Sequence, residues 1–249
     1  MILINLIYIL QSENYDFKRF LRFAYSRLDW WRLEKRKKIV WTPKARLINI
    51  VSVIIFSFFG AYFLVKYGLL GLLVILLMIL FLPFLVGLSL IIIKPLDIIL
   101  KARKIKKAKS ILKFKRQIVI GITGSYGKTS AKEILNSMLA EKFKVLKTTE
   151  NINTDIGIAN FIIKEKENLR ASDIFIAEMG AYRVGDIAKI CGMIEPDYSI
   201  LTGINESHLE RFGGLENIIK GKFELPERTK KISFVNFDDE NIKNNFKKF

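Results

Sequence analysis

Residues 118–142 read "IVIGITGSYGKTSAKEILNSMLAEK", and this stretch decides the fold. "IVIGIT" reads as a strand, the glycine-bearing "GSYG" as a turn, and "GKTSAKEILNSMLAEK" as a helix. A strand that turns through glycines into a helix aims backbone N–H groups and a positive helix N-terminus at one point, which is how a chain binds an anion. The turn comprises Gly124, Ser125, Tyr126, Gly127, Lys128, Thr129 and Ser130, and reads as a phosphate loop. Lys128 can reach the β- and γ-phosphates of ATP, and a hydroxyl at Thr129 or Ser130 can ligate Mg²⁺. The spacing departs from the common pattern G-x-x-x-x-G-K-[ST], because Ile122 stands where its first glycine would be.

Downstream, short apolar runs alternate with helical stretches. "KVLKTT", "DIFIAEMG", "DYSILTG" and "KISFVNFD" read as four more strands, with "DIGIANFIIKEK", "RVGDIAKIC" and "LENIIKGKFELPE" as helices. This alternation predicts right-handed βαβ units and an α/β fold, a three-layer P-loop-type parallel sheet domain over residues 117–249. Ligands in such sheets bind at the carboxyl ends of the strands. At those ends stand Asn151 and Asn153, then Glu178 closing an apolar run, then His208 between Glu206 and Glu210. A carboxylate at the end of a buried strand is costly unless it is paired, to Arg183 for example, or binds metal. His208 is the only histidine, and its position suits a metal or phosphate role. "KGKFE" (residues 220–224) resembles an ordinary solvated helix face.

The N-terminal half is different in texture. The chain is 51% hydrophobic, yet 26% of it is charged, so the two classes must be segregated. Residues 47–65 and 67–93 carry no charge, with Lys66 between them, and about 20 apolar residues span a bilayer. These runs predict an α-helical transmembrane hairpin over residues 47–93, in which Pro83 is tolerated. Residues 1–116 hold 22 Lys and Arg against 5 Asp and Glu, a net +17, whereas residues 117–249 hold 19 of each. Such a basic excess can mark nucleic-acid binding, but here it flanks the apolar runs. It therefore predicts cytoplasmic flanks facing anionic membrane lipids, a cell-membrane protein with two spans, a polybasic linker over residues 94–116 and no nucleic-acid partner. In residues 1–46, Phe17, Phe20, Leu21, Ala24, Leu28 and Trp31 recur at helical spacing, and Trp30 and Trp31 favour a basic amphipathic helix in the headgroup layer, the alternative being a helix packed against the soluble domain. Residues 1–10 are too short to span and lack the features of a cleaved signal peptide. A lone cysteine, Cys191, excludes an internal disulfide.

Taken in order, five segments resemble the central ATP-binding domain of the Mur ligases: "GITGSYGKTS", "ENINTDIG", "EMGAYRVGDIA", "TGINESHLERFGGLENIIKGKFEL" and "VNFDDENI". That family's loop has the form G-x-x-G-K-[ST], which this sequence fits. The resemblance implies an ATP-dependent amide-forming ligase of peptidoglycan precursor synthesis. ATP would phosphorylate a precursor carboxylate, and an amine, an amino acid or dipeptide, would displace the phosphate. It further implies that Lys128 neutralises γ-phosphate charge, that Thr129 or Ser130 with Glu178 holds one Mg²⁺, and that His208 holds a second. Lys222 would be a carbamoylated lysine, and Asn153 with Asn151 would face the substrate. Family members usually begin with a soluble substrate-binding domain and continue well past the point matching Phe249. The expectation is therefore a piece of a longer membrane-anchored ligase or, alternatively, a membrane-bound ATP-binding module that is a scaffold or one half of a split enzyme.

Overall fold

The computed structural model describes residues 2–13, 15–26, 39–114, 117–207 and 209–249. Leu28, Trp30, Trp31 and His208, singled out above, lie outside them. The chain divides into two compact units, Met1–Leu100 and Lys101–Phe249.

The second unit contains all five expected strands: β1 (Ile118–Thr123), β2 (Val145–Lys147), β3 (Ile174–Met179), β4 (Tyr198–Leu201) and β5 (Ile232–Val235). They form one sheet in the order β2-β3-β1-β4-β5, and every neighbouring pair is parallel. β1 and β3 are buried almost throughout, as their apolar runs require of central parallel strands. The helix that follows β1 (Lys128–Leu139, α6 in chain order after the five helices given below) covers one face, where Ala131, Leu135 and Leu139 pack on Ile120, Ile122, Ile174 and Ile176. On the other face, Phe175, Ala177 and Met179 pack under α7 (Asp155–Lys164), α9 (Asp186–Ile194) and α11 (Leu215–Glu227). Three short helices, α8 (Lys166–Ala171), α10 (Leu209–Phe212) and α12 (Glu240–Asn245), have no counterpart in the sequence reading because each is too short to show a period. The path from β1 to β2 steps over β3, and the path from β3 to β4 steps back over β1. The connections thus diverge at the end of β1 and open a crevice there.

The first unit is helical: α1 (Ile2–Ser12), α2 (Phe17–Ser26), α3 (Pro43–Tyr67), α4 (Leu69–Leu80) and the first part of α5 (Leu82–Phe114). α3 starts under a Thr42 cap, with Pro43 in the first turn where its missing N–H is harmless. Its partner arm runs back along it. Gly71 of α4 meets the backbone of Phe63 and Leu64, the Ser52 hydroxyl donates to that of Ser89 at 2.9 Å, and Lys44 pairs with Asp97 at 2.8 Å. The second apolar run is not one helix, however. It breaks at Phe81, because Pro83 lacks an N–H for the Ile79 carbonyl and fits only the first turn of a new helix.

Phe20 and Ala24 of α2 are buried with Leu6, Ile9, Leu10, Ile48, Leu82 and Val86, so this apolar face packs on neighbouring helices. The basic stretch from residue 94 is helical to Phe114. Within the second unit its Ala108 and Leu112 join the core under the sheet, and Lys109 pairs with Glu195 at 2.9 Å. Hydrogen bonds from Lys230 first, then Lys109, hold the Glu195 carboxyl down to about 2.

A Cβ on Gly71 would lie 2.5 Å from the Phe63 carbonyl oxygen, so a side chain there must separate α3 from α4. A Cβ on Gly60 would lie 3.8 Å from Ile75 Cγ1, so cysteines placed at these two positions should cross-link efficiently on mild oxidation. Adding Gly71→Leu should abolish the cross-link, read by gel mobility after proteolysis. Unchanged cross-linking would contradict this packing. The native Cys191 does not compete, since burial pushes its thiol up to about 12.

Candidate functional site

β1 delivers the chain into the loop, and the end of β4 holds the loop in shape. The Ser125 N–H donates to the Gly203 carbonyl at 2.7 Å, and the Thr202 hydroxyl donates to the carbonyls of Thr123 and Tyr126. Gly127 adopts φ 73°, a left-handed conformation that glycine takes without strain, and its carbonyl accepts the first bond of α6. The Lys128 ammonium folds back onto the loop, donating to the carbonyls of Gly124 (2.8 Å) and Ser125 (3.3 Å). Burial lowers its pKa, and the Glu178 carboxylate opposes that shift.

Glu178 is 5% exposed at the end of β3. It is paired to Lys132, at 3.1 Å, and the same Oε2 accepts from the Thr129 hydroxyl at 3.1 Å. Lys132 is fully buried and was missed in the sequence. The available signal was its place one helical turn after Lys128. Removing one partner from such a pair typically costs about 3–5 kcal/mol, because the other charge stays buried alone.

Gly124, Ser125, Lys128, Asn153, Gly180 and Lys222 are among the residues lining one cleft of about 50 Å³ at the ends of β1 and β3. Asn153 is held by its carbonyl, which accepts from the Gly180 N–H at 2.7 Å, and its amide rests where a side chain on residue 180 would stand. Asn151 does not line this cleft; it takes a left-handed turn conformation at φ 64°, which asparagine tolerates. Ser130 is exposed on the first turn of α6. The 220–224 run is not a solvated face, for only Lys220 is exposed. Glu224 is buried and accepts from the N–H groups of Gly185 and Ala188, capping α9. Lys222 is 4% exposed, and burial first, then the charge of Lys128, lowers its pKa to about 7 against the opposing pull of Asp186.

Tyr126 belongs to the loop by its backbone only. Its phenol donates to Asp239 at 2.7 Å, which raises its pKa, and its ring lies against Gly203 where no side chain could stand. Asp239 also accepts from the N–H of Ile204 and caps α12 through Ile242. Asn236 donates to the Thr202 carbonyl at 3.0 Å. The "NFDD" segment, quoted above as part of the family resemblance, thus ties β5 to the end of β4 and to the loop.

Among the described residues no three His, Cys, Asp or Glu side chains gather as metal ligands. Thr129 and Glu178 nevertheless bring a hydroxyl and a carboxylate together beside the loop. Two hard oxygen donors suit Mg²⁺, which completes its shell with phosphate and water.

The profile of the Mur ligase middle domain matches residues 122–249. Over 107 residues the chain is 36% identical to the UDP-N-acetylmuramoyl-tripeptide–D-alanyl-D-alanine ligase of Bacillus subtilis (strain 168), covering 43% of this chain and 23% of that enzyme. Identity to the ligase of the same name from Escherichia coli (strain K12) is 33% over 125 residues, covering 49% and 26%. Among solved structures, the MurF ligase from Thermotoga maritima in complex with ADP matches with TM-score 0.53 at 34% identity, covering 60% of this chain and 35% of that one. The chain therefore spans about a quarter of the length of the curated relatives it matches.

The low pKa of Lys222 sets a pH dependence. The unfolded lysine holds its proton up to about pH 10, whereas the folded one releases it near 7. Between those values the unfolded state binds more protons, so stability rises with pH; below about 7 the penalty is complete. Compared with Lys222→Met, the wild type should gain unfolding free energy steadily from neutral to alkaline pH in urea titrations. A constant difference across that range would refute the burial of a titrating amine.

Proposed function

The chain belongs to the Mur ligase family, and from that membership we propose that it binds ATP at the 124–130 loop as part of an amide-forming ligase of peptidoglycan precursor synthesis. The observation that carries this reading is the meeting of Lys128, Asn153 and Lys222 in one cleft beside Thr129 and Glu178. One wall is the phosphate loop, and the other is lined by Asn153 and Lys222.

The reaction is a phosphoryl transfer from ATP to a substrate carboxylate, followed by attack of an amine on the activated carbonyl with loss of phosphate. In-line phosphoryl transfer depends mainly on positioning and electrostatic stabilisation. Loop N–H groups hold the phosphates, and Lys128 exchanges its contacts with the Gly124 and Ser125 carbonyls for the γ-phosphate oxygens. Thr129 and Glu178 would hold Mg²⁺, which would supply positive charge to the phosphates. Asn153 orients the carboxylate substrate from the opposite wall. Lys222 presents an amine that is about half uncharged near pH 7, and the uncharged form is the one that adds CO₂ to give the carbamate the family uses. His208 would serve a second Mg²⁺. The ligases named above support a UDP-muramoyl peptide as the carboxylate and D-alanyl-D-alanine as the amine.

We also propose that the first unit anchors the chain in the cytoplasmic membrane, with its flanks and the ATP-binding domain in the cytoplasm beside anionic lipids. α3 has 25 residues, about 37 Å of helix at 1.5 Å each, against a hydrocarbon thickness of about 30 Å. Ile54, Phe58, Leu73, Leu76 and Ile92 expose half or more of their surface, which water disfavours and lipid accepts.

Two measurements test this. Lys128→Ala removes a charge-assisted contact worth about 1.5–3 kcal/mol, so ATP affinity by calorimetry should fall roughly 10- to 100-fold; equal affinity would sink the loop assignment. The full chain should stay in the membrane pellet through alkaline carbonate and leave it only in detergent. Release by carbonate alone would refute the anchor.

A further inference from the structure

The phosphate site contains a cation that this reaction does not use. Lys132 lies one turn beyond Lys128 on α6 and has no exposed surface, so it cannot touch a nucleotide in the cleft. Its ammonium donates to Glu178 Oε2 at 3.1 Å, whereas the neighbouring Glu133 oxygen is 3.9 Å away. Thr129 Oγ1 donates to that same Glu178 oxygen at 3.1 Å. The strand end beneath is also fixed, for the Glu178 N–H donates to the buried Thr148 hydroxyl at 3.0 Å. One carboxylate oxygen is therefore occupied by two donors from a single helix, and the backbone carrying it is clamped from β2.

We infer that Lys132 is a positioning residue for the divalent cation of the phosphate site. By occupying Oε2 it fixes the Glu178 carboxylate beside Thr129 and leaves Oε1 as the single oxygen offered to a cation. A carboxylate that ligates through one oxygen, with phosphate and water filling the shell, suits Mg²⁺ better than the larger Ca²⁺, which takes more and bidentate ligands. A group bonded behind a metal ligand sets that ligand's orientation and strength without touching the metal. The inference rests on the ATP-binding reading above.

The test uses the full chain and ADP, titrated by calorimetry with and without Mg²⁺. The affinity ratio between the two conditions isolates the cation from the loop. Lys132→Met should lower that ratio about tenfold or more, the usual effect of losing a group behind a metal ligand, and Lys132→Arg should restore part of it. A folded Lys132→Met protein with an undiminished ratio would overturn the inference, since a purely structural lysine would change melting temperature alone. A second measurement needs no variant to fold. In the wild-type ADP complex, the Lys132 side-chain nitrogen resonance should shift on adding Mg²⁺ as its acceptor becomes a ligand, and an unmoved resonance would overturn the inference. If the wild type binds no ADP in either condition, the ATP-binding reading itself fails, and that outcome is distinct from binding with a Mg²⁺ ratio indifferent to Lys132.

Discussion

A carboxylate at the end of a strand buried on both faces has to be met by a cation, and the pairing of Glu178 with Lys132 meets that demand across the helix–sheet boundary. The pair does more than cancel charge. It fixes how far α6 is rotated over β3, and that rotation points Thr129 at Glu178 and Lys128 at the loop. A buried pair contributes little net stability compared with well-packed apolar residues, so its value here lies in geometry. With α6 held by its second turn, its first turn can present unsatisfied N–H groups to a ligand.

The loop depends on the same economy of support. Beyond the bonds from Lys128 to the Gly124 and Ser125 carbonyls, its shape comes from the segments that follow β4 and β5. Thr202, Gly203 and Asn236 hold it from behind, while Asp239 joins Tyr126, Ile204 and the start of α12 in one node. Phosphate-binding N–H groups are useful only if they are already aimed, because reorganisation would cost binding energy. The β4 and β5 ends supply that aim from outside the loop.

The helical unit shows how one residue redirects a long apolar run. Residues 67–93 have the composition of a single span, yet Pro83 divides them into two helices that lie in turn against α3. Gly71 lets the first approach closely, and the Ser52–Ser89 bond joins the second. Paired serines, and the Lys44–Asp97 pair at the helix ends, satisfy polar groups inside an apolar environment, as any reading of this unit as a membrane segment requires.

The five strands, the phosphate loop and the apolar helices were legible in the sequence because each is a local pattern: a run of β-branched residues, a glycine spacing, an uncharged stretch. Asn153 was legible as a strand-end residue but took its role from a family motif, and Lys222 was legible only through that motif, since nothing local distinguishes it from a surface residue. The sequence by itself thus determined the parallel α/β unit, the place of its ligand site and the apolar N-terminal helices, all of which follow from short-range periodicity and backbone chemistry. Only the tertiary structure decided that Lys132 neutralises Glu178, that Tyr126 turns away to Asp239, that Lys222 is buried enough to lose its proton near pH 7, and that α2 packs on its neighbours. Each of these depends on groups far apart in the chain meeting at low dielectric, and a linear sequence does not record which distant charge or surface will close over a residue.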